Sequence, residues 1–178
     1  MSRLLGQYAD PARLAAVGTV IEENIGVGEF SRLAGLLEST EGHASIRLTF
    51  SFSAAGGKGG VPLLDGEVTA ELPVLCQRCL SPVTLPVMTE FHLALLDDES
   101  QNAGVQPPYE PVLREDEDTE SRGWRLLELI EDELLLSMPM SPMHELEFQC
   151  AEIDDSVAVE EDKQAPFAGL KDLLDHQK

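Results

Sequence analysis

The sequence predicts a single α+β domain in which a small antiparallel sheet, expected to be strongly curled, packs against one or two helices. Three successive segments alternate apolar and polar residues, which is typical of strands with one buried and one wet face. A later segment repeats apolar residues at helical spacing and indicates an amphipathic helix. The connections between strands are too short for parallel crossovers, which favours antiparallel neighbours. The predicted domain covers residues 1–144, and an acidic, partly flexible tail covers residues 145–178.

The chain before the first clear strand gives weaker signals. Asp10-Pro11 can start a helical turn, because proline suits the first helical position. Residues 17–25 contain few helix or strand breakers and indicate a strand. A helix is then predicted over residues 29–38, where apolar residues recur at helical spacing, at Phe30, Leu33, Ala34 and Leu37.

The three alternating segments cover residues 44–52, 67–74 and 83–95, and a glycine-rich turn separates the first two. Apolar side chains of the first segment stand at Ile46, Leu48, Phe50 and Phe52. Pro73 and Pro86 have no N–H to donate to a neighbouring strand, so we expect them at edge positions or bulges.

The second half of the chain is mostly acidic and contains the clearest helix. Residues 97–123 are polar, acidic and rich in proline and glycine, which predicts a long surface loop. Residues 124–137 predict a helix that Pro139 and Pro142 end. Its apolar stripe is Leu127, Ile130 and Leu134, widened by Leu126 and Leu129. A short apolar helix is predicted over residues 165–174, with Phe167, Leu170, Leu173 and Leu174.

The net charge of −21 is concentrated in residues 91–178, which hold 23 acidic and six basic side chains. Direct nucleic-acid binding usually needs a basic stripe, and the sequence offers isolated arginines such as Arg47 and Arg78. Such a field repels RNA and attracts a basic protein. The alternative is that the acidic charge only keeps the chain soluble. Apolar stretches are far shorter than a membrane span and no signal peptide is evident, so we expect a cytoplasmic protein without a membrane partner.

Three cysteines raise the question of a metal site. An odd number in a cytosolic chain argues against a disulfide framework. Cys76 and Cys79 form a Cys-x-x-Cys pair, and His144 and Cys150 are the candidates to complete a four-ligand zinc set. The residues leave three interpretations: a structural turn with buried thiols, which they favour, a zinc site, and a redox dithiol. The redox interpretation is weakened because the pair precedes a hairpin rather than a helix. Arg78 has two interpretations, a partner that stabilises a thiolate and, more commonly for a lone arginine in a turn, a simply exposed side chain.

No constellation of residues predicts an enzyme. The carboxylates of the predicted helix lack paired histidines, so we interpret them as a solvated face: Glu128, Glu131, Asp132 and Glu133. No serine lies in a nucleophile elbow, and residues 56–60 lack the spacing of a phosphate-binding loop.

Three blocks of the sequence resemble the family of large ribosomal RNA subunit accumulation proteins, YceD, in an order that covers roughly residues 8–174. They are Leu75 to Pro82 with the Cys-x-x-Cys pair; Tyr109 to Pro111 with the helix and prolines of residues 126–142; and Ala165-Pro-Phe-Ala-Gly-Leu-Lys171. His144 and Cys150 also fall where some members of the family carry His and Cys. Ala165 stands where the family often has asparagine, which removes a turn-forming side chain before Pro166.

The resemblance implies a bacterial ribosome-biogenesis factor that supports synthesis, processing or stability of large-subunit (23S) ribosomal RNA, with no established catalytic residue. Combined with the charge, it predicts a non-catalytic adaptor for a basic ribosomal protein or an rRNA-processing enzyme, with rRNA contacted indirectly. Two alternatives remain: a direct RNA-binding module that uses Arg47 and Arg78, and a thiol or zinc protein built on the Cys-x-x-Cys pair.

Overall fold

The computed structural model describes residues 5, 8–53, 60–114, 123–146 and 150. The predicted short helix at 165–174, most of the glycine-rich turn predicted at 55–60 and most of the tail at 145–178 lie outside the described residues. In chain order the elements are β1 (Tyr8–Ala9), α1 (Pro11–Ala16), β2 (Val20–Gly26), a 3-10 turn (Val27–Glu29), α2 (Ser31–Ala34), β3 (His43–Phe52), β4 (Pro62–Leu75), β5 (Pro82–Leu96), a second 3-10 segment (Glu99–Gly104), β6 (Glu110–Leu113), β7 (Trp124–Arg125) and α3 (Leu126–Ser137).

Five strands form one open sheet in the order β2-β3-β4-β5-β6, and β1 pairs with β7 in a separate two-stranded ladder. The prediction of an α+β domain is confirmed, but the expectation of a strongly curled sheet is wrong. Within the described residues the outer strands β2 and β6 pair only with their inner neighbours, so nothing closes the sheet. The sheet is also mixed, because β5 and β6 run parallel.

The sheet is built around the long β4–β5 hairpin, whose register extends from Leu63 opposite Ala94 to Leu75 opposite Pro82. Pro73 and Pro86 lie in its far half, where β3 and β6 no longer pair with it. Neither proline therefore lies where a third strand would need its missing N–H, as expected for a residue that cannot donate to a ladder, and the N–H of Glu38 donates to Pro73 O at 2.8 Å.

Between residues 97 and 123, expected to be a surface loop, the structure places a 3-10 segment and strand β6. Asp98 and Gln101 cap the 3-10 segment, and the backbone N–H of Arg114 donates to Leu96 O at 2.9 Å. Strand β6 could not be predicted from alternating apolar and polar residues, because four residues are too few to show that pattern. Residues 115–122 of the expected loop lie outside the described part.

One face of the sheet packs against the helices and forms the core. The alternating residues of β3 and β4 are buried as predicted, among them Ile46, Leu48, Val68 and Leu72. From α3 the core receives Leu126, Ile130 and Leu134, while Leu127 and Leu129 are half-buried at its margin. The predicted stripe is thus rotated slightly toward Leu126.

The region predicted as a helix over residues 29–38 contains only the four-residue helix α2. Leu33 is fully buried there, and Glu131 of α3 reaches across to the first turn of α2. Glu131 is therefore not part of a solvated face: its side chain is 3% exposed and its carboxylate accepts hydrogen bonds from the backbone N–H groups of Arg32 and Leu33. A buried carboxylate needs such donors, and α2 supplies them.

No helix in the described part of the chain is long and apolar enough to cross a membrane.

Candidate metal centre

The turn that joins β4 to β5 holds Cys76 and Cys79 in a tight loop. The N–H of Cys76 donates to Ser81 O at 2.9 Å, and the N–H of Leu80 donates to Cys76 O at 2.8 Å. Leu80 has a φ of 59°, the left-handed region that a leucine enters only at an energetic cost. Leu80 directly follows the second cysteine, at the position where the chain reverses direction between β4 and β5.

The segment that follows α3 brings the other two candidate ligands to this turn. Pro139 and Pro142 prevent the helix from continuing, so the chain leaves α3 in an extended conformation. The N–H of Gln77 donates to Pro142 O at 2.8 Å and fixes the segment beside the turn. His144 and Cys150 then face Cys76 and Cys79.

The ligand atoms of Cys76, Cys79, His144 and Cys150 all lie within 4.8 Å of one another. The Cys76 and Cys150 sulfurs are 3.9 Å apart, and His144 Nδ1 lies 3.6 Å from both the Cys79 and the Cys150 sulfur. A tetrahedral zinc ion with Zn–S bonds of about 2.3 Å separates its sulfur ligands by about 3.8 Å. These three distances are close to the edges of a zinc tetrahedron, the Cys76–Cys150 separation is far too long for a disulfide, and all three cysteines are free.

Hydrogen-bond donors converge on the cysteine sulfurs. Burial raises the pKa of the Cys76 thiol, but the backbone N–H groups of His144, Cys79 and Arg78 all donate to its sulfur and bring the pKa down to about 5. The Ser81 hydroxyl, 2.9 Å from the Cys79 sulfur, lowers the pKa of that thiol. The thiolate is the form of cysteine that binds zinc, so the hydrogen bonds that lower these pKa values also favour the binding of a cation.

Positive charge beside the cluster comes from Arg78 and, when protonated, from His144. Arg78 Nε donates to the Cys150 sulfur at 3.1 Å, and its guanidinium also reaches His144 O at 3.4 Å. Burial nevertheless raises the pKa of the Cys150 thiol. Hydrogen bonding to Cys76 raises the pKa of the His144 imidazole. One arginine faces three sulfurs, which leaves the site short of positive charge if all three ionise.

The structure thus brings together all four residues that the sequence predicted as ligands, and this group can hold a metal ion. Four protein ligands fill a tetrahedron and leave no position open for a reacting water, which is the arrangement of structural zinc sites. The pair lies in a hairpin turn, as expected, rather than at the start of a helix.

Sequence reasoning named the four candidate ligands but missed the groups around them. Ser81 and the N–H of His144 carry no recognisable motif, and only the three-dimensional approach of residues 142–144 to the turn reveals them. The sequence left Arg78 either as a thiolate partner or as a simply exposed side chain. Its guanidinium donates to the Cys150 sulfur at 3.1 Å, and its backbone N–H donates to the Cys76 sulfur. Two other histidines, among the described residues, lie elsewhere: His43 is exposed, and His92 contacts Asp65 at 2.6 Å.

Comparison with known proteins identifies the family. The model of the family "Large ribosomal RNA subunit accumulation protein YceD" matches residues 64–174, well over half of the chain. The chain belongs to the YceD family. A relative with the same name from Haemophilus influenzae (strain ATCC 51907 / DSM 11121 / KW20 / Rd) is 30% identical over 124 residues, which is 69% of this chain and 68% of the relative. No solved structure matches.

The YceD match includes the hairpin turn, α3, both later ligands and the segment at 165–174. It therefore confirms the resemblance seen in the three sequence blocks. The family's name concerns accumulation of large-subunit ribosomal RNA and does not describe an enzymatic activity.

Proposed function

We propose that this chain is a non-catalytic adaptor in the cytoplasm that supports synthesis, processing or stability of large-subunit (23S) ribosomal RNA. Its membership in the YceD family carries this proposal. The adaptor binds a basic ribosomal protein or an rRNA-processing enzyme and contacts rRNA indirectly. Residues 1–144 form its folded α+β domain and residues 145–178 its acidic tail, a division that stays a prediction.

The exposed face of the sheet supports a basic partner. Glu22, Arg47, Glu67 and Glu90 are directly opposite one another on β2, β3, β4 and β5. All four are exposed, so the row presents three carboxylates and one guanidinium to solvent. A partner with basic side chains at strand spacing would complement it, and the net charge of −21 would accelerate its approach.

The two arginines on which direct RNA binding would depend are engaged with protein groups. Arg47 Nε lies 3.4 Å from Glu22 Oε1, and Arg78 donates to Cys150 and His144. Using either for phosphate would require breaking these contacts in a strongly negative field. The geometry therefore favours a protein partner over RNA.

The metal proposed for Cys76, Cys79, His144 and Cys150 is Zn²⁺, in a structural role. When bound, it fastens the segment after α3 to the β4–β5 turn, across more than 60 residues of chain. This role suits an adaptor, because a closed tetrahedron fixes a surface without offering a reactive position.

The family-level function is tested by deleting the gene in its host cell and measuring the ratio of large- to small-subunit rRNA. We expect the ratio to fall and to recover when the wild-type gene is returned. An unchanged ratio would contradict the proposed role in accumulation.

The adaptor mechanism needs a separate test on purified protein. A gel-shift titration with 23S rRNA fragments at two salt concentrations should show little binding by the protein alone, whereas a pull-down should retain a basic protein. Replacing Glu67 and Glu90 with glutamine should weaken that capture, and the control His43→Asn on the same sheet should not. Tight, salt-sensitive RNA binding by the protein alone would instead establish the direct RNA-binding alternative.

Zinc binding is tested by elemental analysis of the purified chain. We expect about one equivalent of zinc, because the four ligands make one closed site. His144→Asn should lose the metal, and the matched control His43→Asn should retain it. Metal-free wild-type protein with an unchanged melting temperature on addition of zinc would reduce the cluster to a turn with free thiols.

A further inference from the structure

An apolar groove lies beside the metal centre and is not used by the proposed function. It runs between the end of α2, the end of β4 and the segment after α3, and it encloses about 510 Å³. Its walls are largely aliphatic and sulfur-containing, with Leu36, Leu37, Leu75, Leu135, Met138 and Met140. Glu38 is the one charged residue among those that line it.

Two of these side chains are largely in water. Leu36 is 59% exposed and Met140 is fully exposed. Large apolar side chains gathered in a concave surface indicate a site that another apolar element covers. Methionine adds adaptability, because its unbranched side chain fits varied surfaces.

The described chain ends next to this groove. The sulfur of Cys150, the last described residue, lies 3.9 Å from the sulfur of Cys76. Gln77, which follows Cys76 in the chain, lines the groove. The N–H of Gln77 also donates to Pro142 O, and Pro142 belongs to the opposite wall. Whatever follows Cys150 therefore starts within a short distance of the groove.

The sequence after Cys150 divides into two parts of different character. Residues 151–164 carry six carboxylates and one lysine, a composition that favours contact with water. Residues 165–174 carry only Lys171 and Asp172 as charges and place Phe167, Leu170 and Leu174 at helical spacing. The match to the YceD family extends to residue 174 and so includes this apolar part.

We propose that residues 165–174 of the same chain dock in the groove, with Phe167 and Leu170 against Met138 and Met140. The connecting residues 151–164 have a root-mean-square span of about 20 Å, which is enough to reach an adjacent site. An intramolecular segment on such a tether acts at an effective concentration on the order of millimolar. Residues 165–174 have no net charge, so the acidic domain does not repel them as it repels the acidic residues 151–164.

Photo-crosslinking of the full-length chain tests the docking directly. p-Benzoylphenylalanine in place of Phe167 should crosslink within one chain, with the product mapped to Met138 or Met140, because benzophenone reacts readily with methionine. The same probe in place of Val159, in the acidic connection, is the matched control and should give at least fivefold less of this product. Products found only between two chains, or none within residues 36–38 and 135–142, would overturn the proposal.

Hydrogen exchange gives a second readout on the same surface. Truncation after Lys163, or the full-length double variant Phe167→Asp with Leu170→Asp, should raise exchange at residues 36–38 at least threefold. The single tryptophan, Trp124, is buried and reports by its fluorescence that the fold is retained. Equal exchange in the wild-type and double-variant chains, with Trp124 fluorescence unchanged, would show that the groove is open in the isolated protein and that the proposal is wrong.

Discussion

Two clusters tie the segment around α3 to earlier parts of the chain, and they differ in how their charge is balanced. In the first, the Glu131 carboxylate accepts hydrogen bonds from Arg32 N, Leu33 N and Arg32 Nε at 2.6, 3.0 and 2.9 Å. In the second, three thiols and one imidazole face a single arginine. The carboxylate of the first cluster receives its donors from the protein itself, whereas the second cluster is a group that could hold a metal ion. The balance of donors and acceptors therefore differs between a structural contact and a candidate ligand site.

The largest effect is expected at the self-sufficient cluster. Glu131→Gln replaces a buried carboxylate that accepts hydrogen bonds from three N–H groups. Because the neutral amide pairs less well with these donors, the substitution should lower the free energy of unfolding by about 3 kcal/mol. Denaturant titration measures this loss, which should be the same with and without a chelator. A loss below about 1 kcal/mol would show that the contact is incidental.

The same cluster should respond to acid. Burial raises the pKa of Glu131, but hydrogen bonds from Leu33 and Arg32 outweigh it and hold the pKa below the ordinary 4.5. A carboxyl with a lowered folded-state pKa stabilises the fold above its ordinary pKa, and that stability is lost as the pH falls through the folded-state value. The stability difference between wild type and Glu131→Gln should therefore shrink below about pH 4.5. A difference that stays constant from pH 7 to pH 3 would contradict this account.

The metal cluster should depend on zinc where the Glu131 cluster does not. At a free zinc concentration about 100 times the dissociation constant, the free energy of unfolding should rise by about 2.7 kcal/mol. Cys76→Ser should abolish this increment and Glu131→Gln should retain it. The two losses should add to within about 0.5 kcal/mol in the double variant if the clusters are independent. A double-variant loss that differs from the sum by much more than this would show that the two clusters are not independent.

A smaller effect is expected from the arginine beside the thiols. Arg78→Leu removes the donor to the Cys150 sulfur and should lower zinc affinity about tenfold, at the low end of the range for groups that orient metal ligands. Competition with a chromophoric chelator measures the affinity. Arg47→Leu, at an exposed arginine on the sheet, serves as the control and should leave the affinity unchanged.

The smallest effect concerns the turn itself. Leu80→Gly relieves the left-handed backbone at this position, and because glycine also gains freedom in the unfolded chain, stability should rise by no more than about 1 kcal/mol. Leu80→Val should instead be destabilising, since branched residues are the least tolerant of positive φ. Thermal unfolding of the two zinc-loaded variants distinguishes them, and equal stabilities would argue against backbone strain at Leu80.

The elements with strong periodicity could be predicted from the sequence alone. Residues 44–52 and 67–74 alternate because one face of each strand meets the core, and residues 124–137 carry a stripe because one side of α3 does. The four candidate ligands were also visible, because Cys and His are residue types that zinc prefers and the Cys-x-x-Cys spacing suits one ion, although the residues favoured a structural turn with buried thiols. These features are local, and local patterns can be read along the chain.

Which charged groups are buried and which are solvated depends on contacts between distant segments. Glu131 and Asp132 look alike on the helix, yet the backbone N–H groups of α2, nearly 100 residues away, donate to the buried carboxylate of Glu131. Asp132 instead pairs with the Arg32 guanidinium and stays half-exposed. The open rather than curled sheet depends likewise on partners that β2 and β6 do not find within the described part of the chain. Side-chain burial and strand pairing depend on contacts between segments far apart in sequence. The pattern of one segment therefore cannot show which of its residues will be buried or paired.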